Sequence, residues 1–321
     1  MPRNTFILLS ATLLSAFPSL VSSASYTLSD NFVGEGFLSG FTHQAIADPT
    51  NGRVTYVDQA TALADNLTFA SSDTFIMRTD DTTVLSASGP GRNSVRIKSN
   101  KTYTTHVVVF DIRHMPQGCA TWPAAWETLD SDWPASGEVD VLEGVNDESP
   151  NASTLHTSPG CTMPDDRAMT GTSVSTNCDT AVNGNKGCGV HNNKANNYGP
   201  AFNTAGGGWY IMERTDSFIQ VFFWSREDSS VPSEISSGAS SINTDTYGTP
   251  VALFPNTSCD LASHFGENNI IINLTLCGDW AGQDATFQGA GCSGTCVDFV
   301  NNNPSAFTDA FWDIAAVRVY E

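Results

Sequence analysis

The chain has 321 residues, with 34 acidic against 14 basic side chains and a formal charge of -20. So negative a surface repels nucleic acid and anionic membranes and leaves a neutral partner as the natural one. Its eight cysteines, an even set without paired CxxC or HxxxH spacing, suit disulfides in an oxidising compartment better than a zinc cluster.

At the start, Arg3 precedes an apolar run from Phe6 to Val21 and a small-residue stretch ending near Ala24. This reads as a secretory signal over residues 1–24, cleaved after Ser23 or Ala24. Pro18 and the shortness of the run argue against a spanning helix, which needs about 20 apolar residues. No later stretch is apolar enough to span, and the last residues form neither a hydrophobic tail nor a retention signal, so a soluble, secreted, extracellular protein is expected. Asn-x-Ser/Thr sequons at Asn66, Asn100, Asn151, Asn256 and Asn273 fit a glycosylating pathway.

From residue 25 onward, short runs with period-two alternation or β-branched content recur: GRVTYVD, NSVRIKS, HVVVFDIRHM, GEVDVLEGV, GWYIMERT, FIQVFFWS, NIIINLTLC and AAVRVYE. Gly, Pro, Asn, Ser and Asp clusters separate them, and no long stretch has helical spacing, which predicts an all-β sandwich. The Ser-rich piece Ser229 to Ser241 is flanked by strand-like sequence and reads as a loop within a single domain over 25–321 rather than a linker. Gly206, Gly207 and Gly208 make a flexible turn, since no Lys-Ser/Thr follows to complete a phosphate loop. Among the cysteines the short CSGTC loop suggests that Cys292 pairs with Cys296.

The informative run is Gly137-Glu138-Val139-Asp140-Val141-Leu142-Glu143-Gly144. In a strand Glu138 and Asp140 share a face while Val139 and Val141 enter the core. Glu143 stands at an odd offset from Glu138, so one extra residue, a β-bulge at Val141-Leu142, is needed to return it to the same side. Three acids on one face repel, and an exposed edge strand of an acidic protein is the bland explanation. The chemical one is a retaining glycosidase, whose two carboxyls stand about 5 to 5.5 Å apart, one ionised as nucleophile and one protonated as acid. Neighbouring negative charge separates their pKa values.

Glu138-Val139-Asp140-Val141-Leu142-Glu143 resembles the E-x-D-x-x-E signature of family 16 glycoside hydrolases, in the bulged form of laminarinases and lichenases. Similarity to basidiomycete laminarinases extends through GRVTYVDQATALA, SGPGRNSVRIKS, HMPQGCATWPAAWET, FPNTSCD, NLTLCGDWAG and NNNPSAF. The resemblance implies a β-jelly-roll sandwich of two antiparallel sheets with a concave cleft. It also implies retaining endo-hydrolysis of neutral β-1,3 or mixed β-1,3-1,4 glucan, no required cofactor, and a structural calcium in some members. By position it makes Glu138 the nucleophile, Glu143 the acid/base, Asp140 the assisting acid, and Trp126 a cleft residue. A monomer that binds neither nucleic acid nor membrane is expected.

Flat aromatic platforms suit the C–H faces of sugars. Trp126, Trp133 and Trp280, read as loop residues, are candidates for sugar contact, whereas Trp224 and Trp312 sit in apolar strands and read as core. His156 either fills the core or bonds near Glu143 and sets its protonation. Arg96 reaches a sugar hydroxyl or is an ordinary surface cation. The acids do not read as a metal site, because no EF-hand-like loop supplies the six to eight oxygens calcium takes. Two other functions remain open: a wall transglycosylase using the same carboxyls, and a non-catalytic glucan-binding lectin, which would not need all three acids.

Overall fold

The computed structural model describes Met1 and residues 25–321, so the expected signal, Met1 apart, lies outside the described residues. Most of the alternating runs become strands in two large antiparallel sheets, one of eight strands and one of nine, whereas Val54–Tyr56 of GRVTYVD pairs in parallel with Arg92–Ser94 in a separate two-stranded sheet. Among the described residues the helices between them are short, the longest being Cys296–Asn302.

The eight-stranded sheet runs in the order Thr172–Ser173, Val190–His191, Ala152–His156, Glu138–Glu143, Thr121–Thr128, Asn269–Leu276, Arg96–Ser99 and Phe41–His43. At the centre of the other lie Phe311–Tyr320, His106–His114, Gly208–Arg214 and Phe218–Ser225. The inner faces meet in one core, where Ile97, Ala125, Val139, Leu155, Ile270 and Ile272 join Val108, Phe110, Tyr210, Val221, Phe223 and Val317. Each large apolar side chain so buried stabilises the fold by roughly 1.5–3 kcal/mol.

Gly208–Arg214 is buried along its whole length because the far side of its sheet is also covered. There Trp209, Phe222, Trp224 and Tyr247 pack with Ile235 of the short helix Ser233–Ser237. The Ser-rich stretch therefore acts as a lid over apolar strands, and Trp224 and Trp312 are core residues as expected. Between the sheets, His106 Nε2 lies 2.8 Å from Glu127 Oε1, and Arg214 Nη1 lies 3.9 Å from Glu127 Oε2.

Four disulfides join Cys119 to Cys292, Cys161 to Cys259, Cys178 to Cys188, and Cys277 to Cys296. The pairing of Cys292 with Cys296 suggested by their spacing is therefore wrong. Cys296 opens the helix Cys296–Asn302 and meets the end of strand Asn269–Leu276 at Cys277, while Cys292 reaches Cys119. The four cysteines of these two bridges pack in a cluster of their own around Leu274, Leu276 and Phe287, so tertiary packing overrode proximity in sequence.

Candidate active site

The site is built on the outer face of the eight-stranded sheet. Along Glu138–Glu143 the register against Thr121–Thr128 pairs Asp140 with Trp126 and Leu142 with Ala125, leaving Val141 as the extra residue. This is the bulge anticipated from the odd offset. Val141 and Leu142 are both fully buried, and Glu143 is restored to the side of Glu138 and Asp140.

A bulge leaves backbone groups without ladder partners, and a buried orphan costs about 1–3 kcal/mol. Two side chains of the neighbouring segment satisfy them here. Asn151 Nδ2 and Ser153 Oγ both donate to the Val141 carbonyl, at 3.1 and 2.9 Å, and the Glu143 N–H donates to Asn151 Oδ1 at 2.8 Å. Just before the strand, Gly137 has φ +72°, and a Cβ there would lie 2.6 Å from the His264 carbonyl. Only glycine lets the chain enter Glu138 from this turn.

Each outer acid accepts from an indole. Trp133 Nε1 donates to Glu138 Oε2 at 2.6 Å, and Trp122 Nε1 donates to Glu143 Oε1 at 2.8 Å. Trp280 packs edge-on against Trp122 with ring centroids 5.6 Å apart. Trp133 is 44% exposed and open to a ligand. Trp126 lies within a strand rather than in a loop; its Nε1 donates to Asn273 Oδ1 at 2.7 Å, and the Arg96 guanidinium stacks 5.0 Å from its ring centre.

Arg96 is no surface cation. It is 3% exposed, donates from Nε to Gln44 Oε1 at 2.7 Å and from Nη2 to Asp130 Oδ1 at 2.8 Å, and so braces Trp126 from beneath.

His156 is placed differently from expectation. Antiparallel register sets it opposite Glu138, not Glu143, and its Nε2 stands 3.4 Å from Asp140 Oδ2 and 3.9 Å from Glu138 Oε1. Its Nδ1 faces Asn185 Oδ1 at 2.9 Å. Burial disfavours the imidazolium, but Asp140, Glu138 and Glu143 outweigh it and push the ring up to about 10.

The carboxyls respond unequally. Burial raises Glu138, while the histidinium and the Trp133 N–H hold it back. Glu143 is raised by burial and then by the Asp140 charge, with the Trp122 N–H opposing. Asp140, 2% exposed, is raised by burial and by Glu138. The histidinium and the Trp133 N–H thus favour the anion of Glu138, while burial and the Asp140 charge favour the protonated form of Glu143. Oxygen and nitrogen atoms of Glu138, Asp140 and His156 lie within 4.8 Å of one another, a spacing that suits a cation. Proton uptake by the His156 ring, favoured by these acids, places positive charge among them.

A family profile described as XgeA-like, catalytic GH16 domain matches residues 41–320. The chain belongs to the GH16 glycoside hydrolases. Its two-sheet sandwich is accordingly the jelly roll of that family, as the resemblance implied. The solved laminarinase 16A of Phanerochaete chrysosporium, described with 6-O-glucosyl-laminaritriose in its donor and acceptor sites, is 68% identical with a TM-score of 0.92, covering 93% of this chain and all of that one. A probable endo-1,3(4)-β-glucanase of Neosartorya fischeri is 41% identical over 100% of this chain, which spans 50% of that relative's length. An elongating GH16 β-1,3-glucosyltransferase is 37% identical with a TM-score of 0.85 over 92% of this chain and all of that one.

Every predicted site residue of this GH16 chain falls on one face, in two groups. Glu138, Asp140, Glu143 and His156 form the titrating centre with Trp133 beside it, and Trp280 meets that centre through Trp122. Arg96 and Trp126 form a neighbouring shelf. Missed from sequence were Trp122, Asn151, Ser153, Asn185 and Asn273. Trp122 carried a signal, standing on the same strand face as Trp126 at an even offset. Asn151 did not, because it read as a glycan acceptor; it is fully buried, as is all but 6% of Asn273, and neither is accessible to a glycosylating enzyme in the fold.

Proposed function

We propose that the chain is a secreted, monomeric endo-β-glucanase that hydrolyses β-1,3-glucan, and mixed-linkage β-1,3-1,4-glucan, by double displacement with retention. The observation that carries this reading is the bulged strand that sets Glu138 and Glu143 on one face with opposed electrostatic surroundings. The laminarinase and endo-glucanase relatives support the choice of β-1,3-linked glucan.

In this mechanism Glu138, steadied by the His156 cation and the Trp133 N–H, attacks the anomeric carbon. Glu143 gives its proton to the departing glycosidic oxygen. Glycosylation removes the Glu138 charge, and the now ionised Glu143 takes a proton from water, which attacks the same carbon and frees Glu138. Asp140 keeps negative charge near Glu143 and so favours its protonated form. The exposed ring of Trp133 offers an apolar face to a sugar, as do Trp126 and Trp280 more partially. Carboxyls and water supply all of this chemistry, so the mechanism calls on no cofactor.

Purified protein incubated with laminarin, lichenan, cellulose and xyloglucan tests the reading. Reducing sugar is expected from laminarin and lichenan, and Glu138→Gln is expected to lower release by at least about 10³-fold. No release by wild type from any of the four polymers would overturn the hydrolase reading. The glucosyltransferase relative favours a second reading, in which a sugar hydroxyl replaces water in the second step. Products longer than the starting oligosaccharide, formed at high laminari-oligosaccharide concentration, would identify it.

A further inference from the structure

The ring of His156 is held from behind by a loop that sequence reasoning did not connect with it. Cys178 and Cys188 close a segment of sequence separation 10, with left-handed backbone at Asn183, Gly184, Asn185 and Gly187. Both ends are tied to the residues flanking His156. The Cys188 N–H donates to the Leu155 carbonyl at 3.0 Å, and the Thr157 N–H donates to the Cys178 carbonyl at 2.8 Å. A Cβ on Gly187 would lie 2.5 Å from the Leu155 carbonyl oxygen and 2.8 Å from His156 Cε1, so the loop backbone lies directly against the ring. Asn185, exposed on its solvent side, then presents Oδ1 to Nδ1.

We infer that this disulfide-closed loop is a positioning device for the reaction, in which Asn185 accepts the Nδ1–H of His156 and so aims its Nε2–H at Asp140 and Glu138. The inference rests on the glucanase reading above, which gives those carboxyls their task. An imidazolium needs an acceptor on each nitrogen. With Asn185 on one side and two carboxylates on the other, the ring is fixed in both rotation and charge state. The charged groups acting on it are Glu138, Asp140 and Glu143 of the acid strand, and the loop meets it with a neutral amide. Asn185 therefore adds direction rather than net charge, acting on Glu138 through His156. It is a positioning residue, not a catalytic one.

Asn185→Gly accepts the left-handed backbone and removes the acceptor. Asn185→Asp tolerates that backbone and keeps one. On laminarin, Asn185→Gly is expected to lower kcat about tenfold with KM changed less than about twofold, a fraction of what a general acid contributes. The acidic limb of kcat/KM moves to higher pH, because a less restrained cation steadies the Glu138 carboxylate less. Asn185→Asp restores kcat to within about threefold of wild type. The double variant Cys178→Ser, Cys188→Ser is expected to shift the same limb, and if it fails to fold the two Asn185 variants decide alone.

Wild-type kcat and an unmoved limb in Asn185→Gly would overturn the proposal. So would Asn185→Asp as impaired as Asn185→Gly, since the amide would then be donating rather than accepting. Nitrogen NMR of His156 supplies a readout independent of turnover: a protected Nδ1–H present in wild type and lost in Asn185→Gly. Wild type inert toward laminarin sinks the glucanase reading, while the NMR signal still judges the positioning.

Discussion

Two histidine–carboxylate clusters flank the same pair of strands, and they have opposite fates. Glu127, opposite Val139 in register, points inward to His106 and Arg214, whereas Glu138, one position before Val139, points outward to His156. The inner cluster sets one carboxylate against a guanidinium and an imidazole, sealed between sheets with all three side chains 4% exposed or less. In the outer one, three carboxyls share a single histidine at a surface. Burial alone does not make a site reactive. Surplus like charge does, because the carboxyls cannot all ionise and a proton must be held by one of them.

Glu127→Ala should mark the inner cluster as structural and produce the largest stability change. It leaves Arg214, whose Nη1 already lacks a hydrogen-bond partner, buried without its counter-ion. A loss of about 3–5 kcal/mol is expected by chemical denaturation, with unchanged turnover per folded molecule. Turnover falling while stability held would break the comparison by making Glu127 part of the chemistry.

Glu143→Gln should do the reverse. The folded protein holds the Glu143 proton more tightly than the unfolded chain does. Its stabilising contribution is therefore present below the unfolded pKa and is lost as pH rises through the raised folded one. The amide cannot ionise, so the variant should gain on wild type by on the order of 1–2 kcal/mol between pH 4 and pH 8 while losing hydrolysis. Thermal melts at both pH values check this. An equal difference at both would mean that Glu143 is not held protonated.

Trp122→Phe offers the subtlest change. Its indole N–H favours the ionised form of Glu143, so removing it raises that carboxyl further. Activity that needs a protonated Glu143 falls as pH rises through its pKa, so the alkaline limb of kcat should move upward by up to about one unit. A downward shift would place the catalytic proton elsewhere.

What could be read from sequence alone was local. Period-two alternation specifies which side chains share a face, so the all-β class, the acid strand, its core-facing Val139 and the need for a bulge near Val141 all follow from spacing within a few residues. The roles of Trp224 and Trp312 were legible for the same reason, as members of continuous apolar strands. The rest depended on which segments meet. Antiparallel register put His156 opposite Glu138 instead of Glu143, strand packing turned Arg96 into a brace for Trp126, and the fold gave Asn151, read from sequence as a sequon, the task of capping a bulge. Disulfide partners, likewise, followed spatial proximity between distant segments and not the shortest loop. The sequence by itself determined which side chains could do acid–base chemistry and which way they face along their strand. Only the tertiary structure decided their partners, because hydrogen bonds and charge coupling act over a few ångströms in space, and residues far apart in the chain supply them.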